Sequence, residues 1–164
     1  MKTIIAFLCA ATFGIVAGVA CGAAFAITEV TDEAMAPALI ENEHVLLDLF
    51  VADKKDSQRG DVVAIANPLY LETGEDSLML KRIVALPGET VEIAEGLVWI
   101  DEVPMTEDAF AFLHIGNETM ERKTVPEDCY FVLGDNLAHS TDSRHVTVGM
   151  IREEDILGKV ILEW

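Results

Sequence analysis

The chain opens with an uncharged apolar stretch and then changes rhythm. From Thr3 to Thr28 no residue carries a charge, whereas beyond Thr28 short apolar runs alternate with joints rich in glycine, proline, asparagine and aspartate. The runs are Val45 to Val51, Asp61 to Ala66, Leu78 to Leu86, Thr90 to Ile93, Leu97 to Ile100, Cys129 to Leu133 and Ile156 to Leu162. Their length and their valine, isoleucine and leucine content predict strands, and nothing repeats at the period of a long amphipathic helix. Regular spacing of such runs predicts an all-β domain, an antiparallel sheet or barrel-like core. Val91 to Ile93 and Leu97 to Ile100, joined by Ala94-Glu95-Gly96, read as a hairpin with Gly96 free to take a positive φ. Residues 53–58 read as a surface loop. Glu153-Glu154-Asp155 reads either as the start of a helical turn or as a solvated face.

The run from Ile4 to Ile27 is long enough to cross a hydrocarbon core, which takes roughly 20 residues as a helix. The predicted organisation is therefore a transmembrane anchor at 3–28 and a β domain at 29–164. A small β accessory lobe is expected at about 88–128, where Asp101 to Val125 carries the weakest strand signal. Lys2 precedes the apolar run while Glu29, Asp32 and Glu33 follow it, which favours a cytoplasmic N-terminus and a domain on the extracytoplasmic side of a single-pass membrane protein. Ala24-Phe25-Ala26 also fits a small-x-small cleavage site, and Cys21 sits as in a lipoprotein signal. The run exceeds the usual signal-peptide core, however, and Gly18 occupies a position where a large aliphatic residue is expected. All three readings export the domain.

With 164 residues, 51% of them hydrophobic, the chain has room for one compact domain plus the anchor. All 29 acidic residues fall from Glu29 onward, whereas one of the 11 basic residues precedes them, so the domain is strongly acidic and would repel a phosphate backbone. Nucleic acid is disfavoured as a partner on this ground. Cys9 and Cys21 lie in the apolar run and Cys129 stands alone in a strand, so no disulfide framework is predicted. His44, His114, His139 and His145 lack the tight pairing of a zinc ligand set, and no metal or cofactor is expected.

Four blocks then stand in order: Ala34-Met35-Ala36-Pro37-Ala38-Leu39, Arg59-Gly60-Asp61-Val62-Val63, Lys81-Arg82-Ile83-Val84-Ala85-Leu86-Pro87-Gly88-Glu89, and Gly134-Asp135-Asn136 running to Ser140, Asp142, Ser143 and Arg144. Behind an apolar N-terminal segment, this series resembles the bacterial type I signal peptidases of the S26 family, over nearly the whole chain. Those are membrane-anchored serine proteases using a Ser-Lys dyad, with a nucleophile segment reading Ser-Met-x-Pro-Thr-Leu. The resemblance implies that Lys81 is the general base and that Ala34 stands where the serine should be. It implies that Ser140 orients the lysine, that Asp142 and Arg144, with Gly134 and Asp135, support the site loop, and that Met35 and Pro37 wall a groove for an extended peptide.

A Ser-Lys dyad works only if the lysine is neutral, which requires a desolvated site, and Lys81 has Leu78, Met79, Leu80, Ile83 and Val84 as apolar neighbours. An aspartate two residues before an arginine on an extended segment projects the same way, so Asp142 and Arg144 are expected in one charged network. The chain departs from the family at three further points. Ala38 replaces a threonine, and Leu137 stands where arginine is common. Asp32 occupies an oxyanion-hole position that the family fills with glycine or serine. The expected function is removal of signal peptides from exported preproteins, impaired in this copy because Ala34 has no hydroxyl. The alternative is an inactive homologue that binds extended secretory or surface-protein peptides as an assembly accessory.

Overall fold

The computed structural model describes residues 24–49, 57–66, 78–105 and 118–164, and within them the protein is all-β. Eleven strands are described among these residues: β1 Phe25–Glu29, β2 His44–Asp48, β3 Val62–Ala66, β4 Leu78–Ala85, β5 Thr90–Ala94, β6 Leu97–Ile100, β7 Val103–Pro104, β8 Met120–Thr124, β9 Cys129–Leu133, β10 Ile151–Arg152 and β11 Ile156–Glu163. A seven-stranded sheet runs β1-β2-β11-β3-β4-β9-β10 and a four-stranded sheet runs β7-β6-β5-β8, with every described pairing antiparallel. The predicted apolar runs became β2 to β6, β9 and β11, with ends shifted by a few residues.

The centre of the large sheet is β4, held between β3 and β9. All five residues of β9 are buried, which is why this strand reads as an unbroken apolar run rather than an alternation. Val63 and Ile65 of β3, Met79 and Ile83 of β4, Tyr130 and Val132 of β9 and Ile156 at the start of β11 pack on one another. A second group joins the sheets: Val84 and Ala85 from β4 and Phe131 and Leu133 from β9 meet Val91, Ile93, Val98 and Ile100 of the small sheet. In β5, Val91 and Ile93 are buried while Thr90, Glu92 and Ala94 are partly exposed, the period-two pattern of a strand with one covered face.

Four strands were not anticipated. Phe25–Glu29 continues the apolar run but pairs with β2, so the predicted helical span 3–28 gives up its last residues to the sheet. These residues alternate exposed and half-buried, as edge-strand residues do. The rest of that span, 3–23, lies outside the described residues, and among the described residues no helix is long and apolar enough to cross a membrane. Strand β8, Met120-Glu121-Arg122-Lys123-Thr124, lies at a sheet edge and is almost wholly exposed, so no apolar pattern marks it. The two-residue strands β7 and β10 are too short to leave one. Glu153–Asp155 forms a single 3-10 turn. In the β5–β6 turn both Glu95 (φ 56°) and Gly96 (φ 76°) are left-handed, as a two-residue hairpin turn of this twist requires, so the turn strains a residue besides the glycine.

Phe131 is fully buried where the two sheets meet. Phe131→Ala should therefore cost about 3–5 kcal/mol in chemical denaturation of the full chain in detergent, while Val146→Ala, at a side chain 97% exposed, should stay within about 0.5 kcal/mol.

Candidate active site

Strand β4 places Lys81 opposite Val63 of β3, on the strand face it shares with the core residues Met79 and Ile83. The residue is 1% exposed. Its Nζ donates to the Leu80 carbonyl at 3.0 Å. Desolvation pulls the amine below the ordinary lysine value of 10.5, and the carboxylates of Asp32, Asp142 and Asp135, in falling order, pull it back up. Burial is the larger effect, so the amine gives up its proton more readily than an exposed lysine does.

The next residue, Arg82, forms a two-pronged bond to Asp135, Nε to Oδ1 at 2.8 Å and Nη2 to Oδ2 at 2.6 Å, and donates to the Gly60 carbonyl at 2.7 Å. Such a fork fixes orientation as well as distance. Gly60 N–H in turn donates to Ile83 O, and Ile83 N–H to Asp61 O, both at 2.9 Å. Arg59 pairs with Glu89 at 2.6 Å, Glu89 accepts the Leu86 N–H at 2.7 Å, and Lys159 pairs with Asp61 at 2.7 Å. Three sequence blocks thus become one bonded frame around the strand that carries Lys81. The roles of Arg59, Arg82 and Glu89 were not foreseen from the sequence, although each lies within one of its four blocks and the opposite charges offered a signal.

Gly134 sits where β9 ends. A Cβ there would lie 2.2 Å from Ser140 Oγ and 2.5 Å from the Ala34 carbonyl oxygen, so only glycine allows these two residues to close on the strand end. Asn136 N–H donates to the same Ala34 carbonyl at 2.9 Å. Asp142 is fully buried and accepts from Gly134 N–H at 3.2 Å and from Arg144 Nε at 2.8 Å. Arg144 also donates to the carbonyls of Leu137 (2.8 Å) and Ser140 (3.1 Å) and to Glu118 (2.7 Å), wrapping the loop around its guanidinium. Asp142 and Arg144 therefore meet, but through a turn rather than the expected extended segment. Ser143 exchanges bonds with Val132: its N–H donates to Val132 O at 3.1 Å, and its Oγ accepts the Val132 N–H at 3.0 Å. His145 N–H closes the turn on Asp142 O at 2.9 Å.

Ala34 is 2% exposed in a series of tight turns. Its N–H donates to Asp32 Oδ1 at 3.0 Å, and Asp32 itself is exposed. Two expectations change here. Met35 is fully buried among Val30, Leu39, Val45, Leu47, Ala64 and Leu80, so it packs the core instead of walling a groove, while Pro37 is exposed. Ser140 does not hydrogen-bond Lys81: its buried Oγ has no hydrogen-bond partner and lies against Gly134, while its carbonyl accepts from Arg144. A polar-rimmed cavity opens beside it, lined by Glu118, Met120, Leu137, Arg144 and His145 among others.

The histidines scatter. His44 stacks on Trp164, the His139 Nδ1 lies 3.2 Å from Asn136 Oδ1, His145 Nδ1 accepts from Asp142 N–H, and His114 lies outside the described residues. Among the described residues no group of three or more metal-ligating side chains gathers.

The model of the family described as signal peptidase, peptidase S26, matches residues 1–164. The chain is 30% identical over 146 residues to signal peptidase I of Bacillus amyloliquefaciens, covering 82% of this chain and 72% of the relative. It is 31% identical over 144 residues to signal peptidase I S of Bacillus subtilis strain 168, covering 82% and 73%. Among solved structures, a signal peptidase I from Enterococcus faecalis V583 matches with a TM-score of 0.50 and 32% identity, over 65% of this chain and 97% of that one.

Because burial depresses the Lys81 amine, the unfolded chain holds a proton at neutral pH that the folded chain gives up more readily. The site therefore costs stability below the folded pKa, and the cost fades as pH rises toward 10.5. Lys81→Met should raise the unfolding free energy at pH 7, by about 1.4 kcal/mol for each unit of depression, and the gain should shrink at about pH 10. A gain of equal size at both pH values would contradict the desolvated amine.

Proposed function

The chain belongs to the signal peptidase family, peptidase S26, and on that premise we propose that it receives the signal peptides of exported proteins in a site whose Ser-Lys hydrolysis is impaired. Lys81 takes the role of general base, and Ala34 stands at the position of the attacking serine. The observation that carries this reading is the combination of a buried amine with an alanine whose N–H is held by the Asp32 carboxylate.

In the serine route, an oxygen attacks the scissile carbonyl while the lysine amine accepts its proton, and backbone donors hold the oxyanion that forms. Ala34 has no oxygen to attack with and no proton to give. Removing the nucleophile of a serine protease, as in subtilisin, costs on the order of 10⁶ in turnover. A carboxylate at position 32 adds a second obstacle, since loss of one oxyanion donor alone costs roughly 10²–10³.

The supporting frame is otherwise in place. Gly134, Asp135, Asp142 and Arg144 hold the loop against Ala34, and Ser140 lies at its edge. Binding of an extended peptide would then outlast the loss of cleavage, which suits an accessory in the export or assembly of surface proteins. The apolar N-terminal run is the single-pass anchor in this reading, with its N-terminus in the cytoplasm and the β domain on the extracytoplasmic side of the membrane.

The test uses the full chain in detergent with a preprotein substrate, beside the Ala34→Ser, Asp32→Gly double variant. The double variant should cleave and the unmodified chain should fall below it by several orders of magnitude. Cleavage by the unmodified chain at a rate matching the double variant would overturn the assignment of Ala34.

A further inference from the structure

Two independent features meet on Asp32. Its Oδ1 accepts the N–H of Ala34 at 3.0 Å, and among the carboxylates that act on the Lys81 amine it is the strongest. The Ala34 carbonyl, on the other side of the same residue, accepts the Asn136 N–H at 2.9 Å, and a Cβ on Gly134 would lie only 2.5 Å from it. Both backbone polar groups of residue 34 are thereby engaged within the protein. The carboxylate nevertheless sits on an exposed residue, whereas Ala34, Lys81, Ser140 and Asp142 are each buried.

Resting on the peptide-binding reading above, we infer that Asp32 is a specificity-determining residue: its carboxylate occupies the place at the Ala34 N–H that the terminal carboxylate of a cleaved peptide would take, so the site rejects peptides ending there and retains continuous ones. The chemistry is direct. Hydrolysis of a peptide bond leaves a carboxylate on the residue before the cut, and in this inference that group would bond to the backbone N–H of residue 34. Asp32 brings the same functional group, on the same chain, at no cost in association entropy. A second carboxylate arriving there meets an occupied donor and a like charge. An uncharged amide in the middle of a peptide meets only the occupied donor.

Glu33 is exposed one residue further on and adds negative charge beside Asp32 in the chain. Discrimination against a terminal carboxylate therefore has a charge component that should weaken with salt, and an occupancy component that should not.

The experiment compares two synthetic signal-peptide fragments of identical sequence ending at the cleavage position, one with a free C-terminal carboxylate and one with a C-terminal amide. Binding to the full chain in detergent is read by fluorescence anisotropy, for the unmodified protein and for Asp32→Gly. The unmodified protein should bind the amide about tenfold more tightly than the carboxylate, and Asp32→Gly should reduce or invert that ratio. The Ala34 amide resonance should shift on carboxylate binding in Asp32→Gly and stay fixed in the unmodified protein, a readout that a merely structural role for Asp32 would not produce. Binding of both peptides with a ratio unchanged by Asp32→Gly would overturn this inference and leave the peptide-binding reading standing. Failure of both peptides to bind either protein would overturn both.

Discussion

Burial of a single amine organises this molecule. Lys81 lies in the central strand of the larger sheet, almost without exposure, and its one described hydrogen bond goes to the carbonyl of its own neighbour, Leu80. A lysine in such a place is strongly unfavourable unless it gives up its proton or finds compensating charge. Here three carboxylates act on it from separate segments, Asp32 from the loop after β1 and Asp135 and Asp142 from the loop after β9. Two of these are themselves bonded to arginines, Asp135 to Arg82 and Asp142 to Arg144. Desolvation outweighs all three.

The frame that maintains it is made of polar bonds between segments far apart in the chain. Arg82 clamps the loop after β9 to the strand that holds Lys81, and Gly60 and Asp61 are stitched to the same strand through Arg82 and Ile83. Buried or half-buried pairs of this kind add little net stability, since their desolvation offsets much of their attraction. Their contribution is geometric. A forked arginine bond permits one arrangement of the loop relative to the strand, and Gly134 permits the closest approach of Ser140 and Ala34 to it. Stability comes instead from the apolar contacts between β4, β9 and the small sheet, around Phe131 and Leu133.

The strands with buried faces were legible in the sequence because burial imposes a pattern: β4 and β9 as apolar runs, β5 and β6 as an alternation. Edge strands escape this logic. β8 is charged at Glu121, Arg122 and Lys123 because its side chains face water, and β1 was absorbed into an apolar stretch most of which lies outside the described residues. At the site, the apolar neighbours of Lys81 and the family resemblance pointed to its place, and Asp142 and Arg144 meet as expected, although through a turn that the extended-segment argument did not foresee. The fully packed position of Met35, the unpartnered hydroxyl of Ser140 and the Asp32 bond to the Ala34 N–H do not follow from neighbouring residue types and spacing, because each depends on how loops distant in sequence settle against one another. Local pattern speaks to elements, and it says much less about the last ångström between them.

Whether Lys81 keeps its proton is the decisive question, and heteronuclear NMR of the full chain in micelles, with selectively labelled lysine, can follow it directly. The Lys81 resonance should titrate below the ordinary lysine value of 10.5, and lower still in Asp32→Asn, where the strongest opposing carboxylate has lost its charge. A Lys81 that titrates with the surface lysines, unmoved by the change at position 32, would contradict both the sequestered amine and its coupling to the Ala34 loop.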